Sequence, residues 1–157
     1  QPYHLSDDMR WMEERIGHER CRGAYAFRSI LDAGAKLSFG SDWPGTSAAA
    51  YPANPMLGLY AAATRQTLTG QPPQGWFPEQ RISVEEAIRA YTWGSAYANG
   101  DDDEKGSVEE GKLADLVALS QNLLEIPPQR ILQTEVLLTV VGGRIVHNAL
   151  EAPASGR

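Results

Sequence analysis

A single cysteine, three histidines and the lack of any long apolar run set the first limits on this 157-residue chain. Cys21 alone cannot close an internal disulfide, and without a Cys-x-x-Cys pair there is neither a zinc knuckle nor a dithiol redox motif. No stretch approaches the roughly 20 apolar residues of a membrane span, and no basic, apolar and small-residue succession marks a signal peptide. Positive charge is scarce as well: 14 Lys and Arg stand against 20 Asp and Glu, for a formal net charge of -6 and a pI near 5.0. Nucleic acids and anionic membrane surfaces demand clustered basic residues, so neither is an expected partner. The chain opens on Gln1 and not on methionine; the expectation is a cytoplasmic protein whose N-terminus lies outside this sequence.

What is present has the balance of one ordinary soluble domain, with 42% hydrophobic and 22% charged residues. Residues 7–17 read as a short helix with an acidic first turn, stopped by Gly17, and residues 22–34 as a second helix stopped by Gly34. Lys36 to Gly40 reads as a short strand, Gly45 to Pro55 as a loop, residues 56–69 as a helix and residues 70–80 as a long loop. Ser83 with Glu86 three residues on is a capping box, opening a helix expected to reach about Asn99. The acidic run Asp101–Glu104 reads as a solvated linker, since a calcium loop would space its carboxylates around a central glycine. Beyond it the texture turns β-rich, with strands expected at residues 113–119 and 136–141 and a hairpin turn at Gly142-Gly143, where both positions accept positive φ. The expected division is therefore residues 1–104, an α/β unit, and residues 105–157, a β-rich unit.

The most informative stretch is residues 36–44, K-L-S-F-G-S-D-W-P, which carries a carboxylate to the end of an apolar run and then turns at once. At the carboxyl end of a strand in a parallel α/β fold, a side chain faces the crevice where ligands bind. Position makes Asp42 a candidate, although an aspartate before Trp-Pro also commonly caps its own turn.

Phe39-Gly40-Ser41-Asp42-Trp43-Pro44 resembles the last barrel strand of the YtcJ-like branch of metal-dependent amidohydrolases, amidohydrolase family 3. Five further stretches agree with that family in order. Gln1-Pro2-Tyr3-His4-Leu5 with Asp8 resembles its Q-P-x-H segment at strand 7, and Arg22-Gly23-Ala24-Tyr25 the start of the helix between strands 7 and 8. Asn54-Pro55 with Ala63-Thr64-Arg65 is similar to the segment after strand 8, and the run from Gly106 to Val117 to its G-S-I-E-x-G-K-x-A-D-x-V stretch, with Val140 to Val146 matching the closing hairpin of a small β-sandwich domain.

The resemblance implies the C-terminal part of a (β/α)8 TIM-like barrel, about strands 7 and 8, followed by returning strands of a β-sandwich. It implies one or two divalent metals, usually zinc, and hydrolysis of amide, formamide or related C–N bonds in a small-molecule substrate. In such sites the metal lowers the pKa of a bound water and a carboxylate shuttles the proton. By motif that carboxylate, also a metal ligand, is Asp42. His4 could donate to a substrate oxygen or be a structural histidine; Arg22 could reach an anionic substrate group or pair at the surface; Trp43 could wall the pocket or pack beneath the loop. Arg65 is expected to anchor a loop, and Asp115, Trp76, Phe77, Tyr91 and Trp93 to be structural.

The family's other metal ligands, an H-x-H pair, a mid-barrel carboxylate or modified lysine and two later histidines, have no counterpart among His4, His18 and His147. A catalytic zinc needs about three protein ligands. The chain is therefore expected to be the C-terminal portion of a longer enzyme, inactive alone; the alternatives are a non-catalytic interaction module of the same fold, or a dihydroorotase- or imidazolonepropionase-like branch. A homo-oligomer is compatible with all of these.

Overall fold

The computed structural model describes residues 1–44 and 53–150. The helical part is organised around α5, Pro55–Thr64, whose sequence P-M-L-G-L-Y-A-A-A-T is apolar almost all round and is correspondingly buried on most sides. Asn54 caps it, its Oδ1 accepting from the Met56 N–H at 3.0 Å, and Pro55 supplies a pre-set first position. Against α5 pack α1 (Pro2–Asp8), a 3₁₀ turn at Pro128–Gln133 and α6 (Val84–Tyr91). The core gathers Leu5, Phe27, Phe39, Leu59, Tyr60, Trp76, Phe77 and Ile131 from these elements and their connections.

Several sequence expectations shift at this level. The Q-P-x-H segment, expected at the end of a strand, is helix α1; Pro2 sits in its first turn, and the Ser6 hydroxyl ties it to the Gln66 carbonyl at 2.6 Å. The helix expected over 7–17 contributes only α2, Met12–Ile16, before Gly17 at φ 81 stops it. The helix expected over 22–34 forms only as α4 (Phe27–Asp32); α3 (His18–Cys21) ends just before the expected span, and Tyr25 at φ 50 lies between them. The helix expected over 56–69 stops at Thr64 because Arg65 turns left-handed. The capping box at Ser83 and Glu86 forms in both directions, but the helix it opens breaks at Thr92, giving α6 and then α7, Trp93–Asn99.

Residues 36–40 are not a strand. They run extended along the α6–α7 junction: the Phe39 N–H donates to the Ala90 carbonyl at 3.0 Å, and the Ser95 hydroxyl donates to the Phe39 carbonyl at 2.9 Å. The break at Thr92 makes this possible, because the Ala90 carbonyl accepts from the Phe39 N–H in place of an amide one helical turn on. Gly94 completes the seat, since a Cβ there would run into the Leu37 carbonyl. No strand lies beside this segment among the described residues, and no parallel strand pair forms among them.

The β-rich part is a three-stranded antiparallel sheet in the order β1 (Leu116–Leu119), β2 (Val136–Val141), β3 (Arg144–Asn148). The β2–β3 turn is the expected one, with Gly142 at φ 55 and Gly143 at φ 76. Asp115 braces it, its Oδ1 accepting from the Gly142 N–H at 2.5 Å. The acidic run is a tied turn: the Asp101 N–H reaches the Ala96 carbonyl and Lys105 pairs with Asp101 at 2.7 Å. Lys112 bonds the Asp102 carbonyl and the Ser107 hydroxyl, and the Leu113 N–H bonds the Glu104 carbonyl, so β1 begins three residues later than expected. The Gly45–Pro52 part of the expected loop lies outside the described residues.

Candidate functional site

The turn that ends the extended segment is closed by Ser41, whose hydroxyl accepts from the Trp43 N–H at 3.2 Å. Asp42 between them takes a left-handed conformation, φ 55, a region that aspartate enters more readily than most side chains. The consequence is an exposed carboxylate at the tip of a segment whose root, Phe39, is buried among aromatic rings. Trp43 beside it is 51% exposed.

Gln1 is the N-cap of α1, and His4 sits half-buried one turn further along. Arg22, by contrast, is exposed at the end of α3, where its Nε donates to Glu19 at 3.0 Å. The structure thus leaves Asp42 exposed at its turn, half-buries His4 on α1 and gives Arg22 a surface partner.

Two features behind these residues carry no periodic signal in sequence. Tyr25 Oη donates to Asp8 Oδ2 at 2.5 Å, joining the Q-P-x-H segment to the R-G-A-Y segment; burial first, then this hydrogen bond and the Asp8 charge, push the Tyr25 phenol well above its ordinary range. Arg65 is fully buried where the sequence suggested mid-helix. Its Nε donates to the Trp76 carbonyl at 2.6 Å and its Nη1 to the Tyr25 carbonyl at 2.8 Å. Burial brings its guanidinium down to about 10, so it is charged at neutral pH. The expected loop anchor is therefore made through carbonyls, and Trp76 is itself held by Glu13, which accepts from its Nε1 at 2.6 Å.

Among the described residues no three His, Cys, Asp or Glu side chains gather into a group that could hold a metal ion. The donors present do not fit a catalytic zinc, which takes about three protein ligands. A groove of about 920 Å³ lies elsewhere, between α6–α7 and the β1–β2 face. It does not include Asp42.

Residues 1–147 match the amidohydrolase family. The chain belongs to that family. This family member is 31% identical, over 94% of its length, to the provisionally named amidohydrolase YtcJ of Bacillus subtilis. It is 36% identical, over 85% of its length, to the N-substituted formamide deformylase of Arthrobacter pascens. It spans 27% and 22% of those two proteins, about a quarter of their length. Among solved structures it is similar to an uncharacterized metal-dependent hydrolase from Pyrococcus furiosus, with a TM-score of 0.55 and 32% identity over 71% of this chain and 20% of that one. No helix among the described residues is long and apolar enough to cross a membrane.

Proposed function

We propose that this amidohydrolase chain is the C-terminal portion of a longer enzyme that hydrolyses C–N bonds of amide or formamide type in a small molecule, with Asp42 as its general acid and base. Residues 1–104 would complete the end of a (β/α)8 barrel, and residues 105–157 would return to a β-sandwich domain. The observation that carries the reading is the Asp42 carboxylate itself, exposed in a left-handed turn at the tip of an anchored segment. The formamide deformylase relative supports the bond type.

In the proposed reaction, ionised Asp42 accepts a proton from the water whose oxygen bonds to the substrate carbonyl carbon. Protonated Asp42 then donates that proton to the leaving nitrogen as the C–N bond breaks, releasing an acid and an amine. One carboxylate can serve both half-steps because it is an acceptor when ionised and a donor when protonated. His4 and Trp43 would line the mouth from α1 and from the turn. Arg22 would reach an anionic substrate group only by leaving Glu19. A divalent metal, zinc by family resemblance, would draw its remaining ligands from outside this chain.

The test is Asp42→Asn in the full-length enzyme with an N-substituted formamide as substrate. Asparagine accepts φ 55 as readily as aspartate, so the turn survives while the base is lost, and turnover should fall by about 10²–10⁴-fold. Turnover within a fewfold of the parent would remove Asp42 from this role.

The second reading, a non-catalytic module, rests on the missing metal group among the described residues. Stoichiometric metal and formamide hydrolysis in the full-length parent would exclude it.

A further inference from the structure

We propose that Tyr25 is a positioning residue for His4, acting through Asp8; the inference rests on the reading of the Asp42 site as a hydrolase centre. His4 and Asp8 are separated by four positions on α1, so they stand one above the other on the same face. Asp8 ends the helix, and its Oδ2 accepts from the Tyr25 hydroxyl at 2.5 Å. Both its partly buried setting and its charged acceptor make this one of the stronger hydrogen bonds of the chain.

Tyr25 is in turn fixed from behind. Its φ of 50 is a conformation that a bulky residue adopts only when its surroundings hold it there. Those surroundings are the buried Arg65 guanidinium, whose Nη1 donates to the Tyr25 carbonyl at 2.8 Å. The phenol ring also packs edge-on against Phe27, with centroids 6.1 Å apart. A buried cation thus sets a strained backbone turn, the turn aims a hydroxyl, and the hydroxyl holds the C-terminal end of the short helix that carries His4. Seven residues make too short a helix to be rigid alone. At its other end α1 has no side-chain cap, so the Asp8 contact and the Ser6 bond to the Gln66 carbonyl add to its packing on α5 in fixing it.

The experiment uses the full-length enzyme and an N-substituted formamide, comparing Tyr25→Phe, His4→Gln and the double variant. Phenylalanine keeps the ring and removes only the hydroxyl. Tyr25→Phe should lower kcat about tenfold, the scale of one hydrogen bond to a charged group, with KM nearly unchanged. In the His4→Gln background it should lower kcat no further, because its effect passes through His4; an equal loss in both backgrounds, or no loss in either, would overturn the proposal.

Amide hydrogen exchange provides an arm independent of turnover: Tyr25→Phe should speed exchange in α1 about tenfold while leaving α5 unaltered, and unchanged protection in α1 would also overturn the proposal. A parent that hydrolyses no formamide overturns the role in hydrolysis together with the reading of the site. An active parent with a His4-independent Tyr25→Phe effect sinks this inference alone.

Discussion

Arg65 offers the sharpest test of how the site is held. It is the largest fully buried side chain among the described residues, and its partners are backbone carbonyls: Trp76 at 2.6 Å, Tyr25 at 2.8 Å and, at 3.5 Å, Ala24. The guanidinium also lies 5.9 Å from the Phe27 ring centroid and 5.7 Å from that of Trp76. Its backbone contributes as well, since the Arg65 carbonyl accepts from the Trp76 N–H at 2.7 Å. One residue therefore joins the end of α5, the Ala24–Tyr25 turn and the loop that carries Trp76.

Arg65→Met keeps much of the volume and removes the charge. It leaves the Tyr25 and Trp76 carbonyls without their donor, and each stranded buried acceptor costs about 1–3 kcal/mol. The Ala24 contact is too long to add much. Against this, methionine no longer requires burying a cation, and replacing buried ionic groups by apolar ones can recover stability. The net loss should be about 3 kcal/mol, toward the middle of the range for two stranded acceptors. Arg65→Lys keeps the charge, but its single ammonium lacks the fork that spans two carbonyls, so one acceptor is lost, at about 1–3 kcal/mol. The assay is the chemical denaturation midpoint at neutral pH, together with amide exchange at Trp76. An Arg65→Met variant as stable as the parent would refute the reasoning: the desolvation of the cation would then match everything its hydrogen bonds supply.

Two further predictions concern the seat of the extended segment. At Gly94, helix propensity alone says that alanine should stabilise α7 by about 1 kcal/mol, whereas the Leu37 carbonyl in the path of the new Cβ says that it should destabilise by about 1–3 kcal/mol; the sign of the change in Gly94→Ala, read from denaturation, decides between them, and a stabilised variant would mean that the 36–40 segment is not seated there. Burial pushes the Tyr91 phenol from its ordinary value of 10 up to about 12, so between those pH values the unfolded chain has released the proton that the folded one keeps, and stability must fall as pH rises through the window. Tyr91→Phe should flatten that part of the decline without changing the plateau below pH 10, and an unaltered slope would show that Tyr91 ionises freely in the folded protein.

What could be read in the sequence was what short-range chemistry decides. Gly142-Gly143 announces its turn because two positive φ values in a row are nearly a glycine privilege, and Ser83 with Glu86 announces a helix start because both hydrogen bonds close within three residues. Asp42 became a candidate through an ordered set of motifs, not through periodicity. The break at Thr92 was not legible, because its consequence is a hydrogen bond from Phe39 to Ala90 across fifty-one positions, and neither was the burial of Arg65, since nothing near it in sequence marks the carbonyls of Tyr25 and Trp76 as its partners.

The break at Thr92 has a physical cause. An apolar segment ending in Asp42 has backbone groups that must be satisfied, and among the described residues no strand stands beside it. The chain answers with a helix break whose Ala90 carbonyl receives Phe39, a serine that bonds the Phe39 carbonyl, and a glycine whose missing Cβ admits Leu37. Ala90, Ser95 and Gly94 lie within six residues of one another, so the position of the Asp42 turn depends on the α6–α7 junction more than on any neighbour in sequence. Perturbations at that junction, and not only at Asp42, should therefore be felt at the carboxylate.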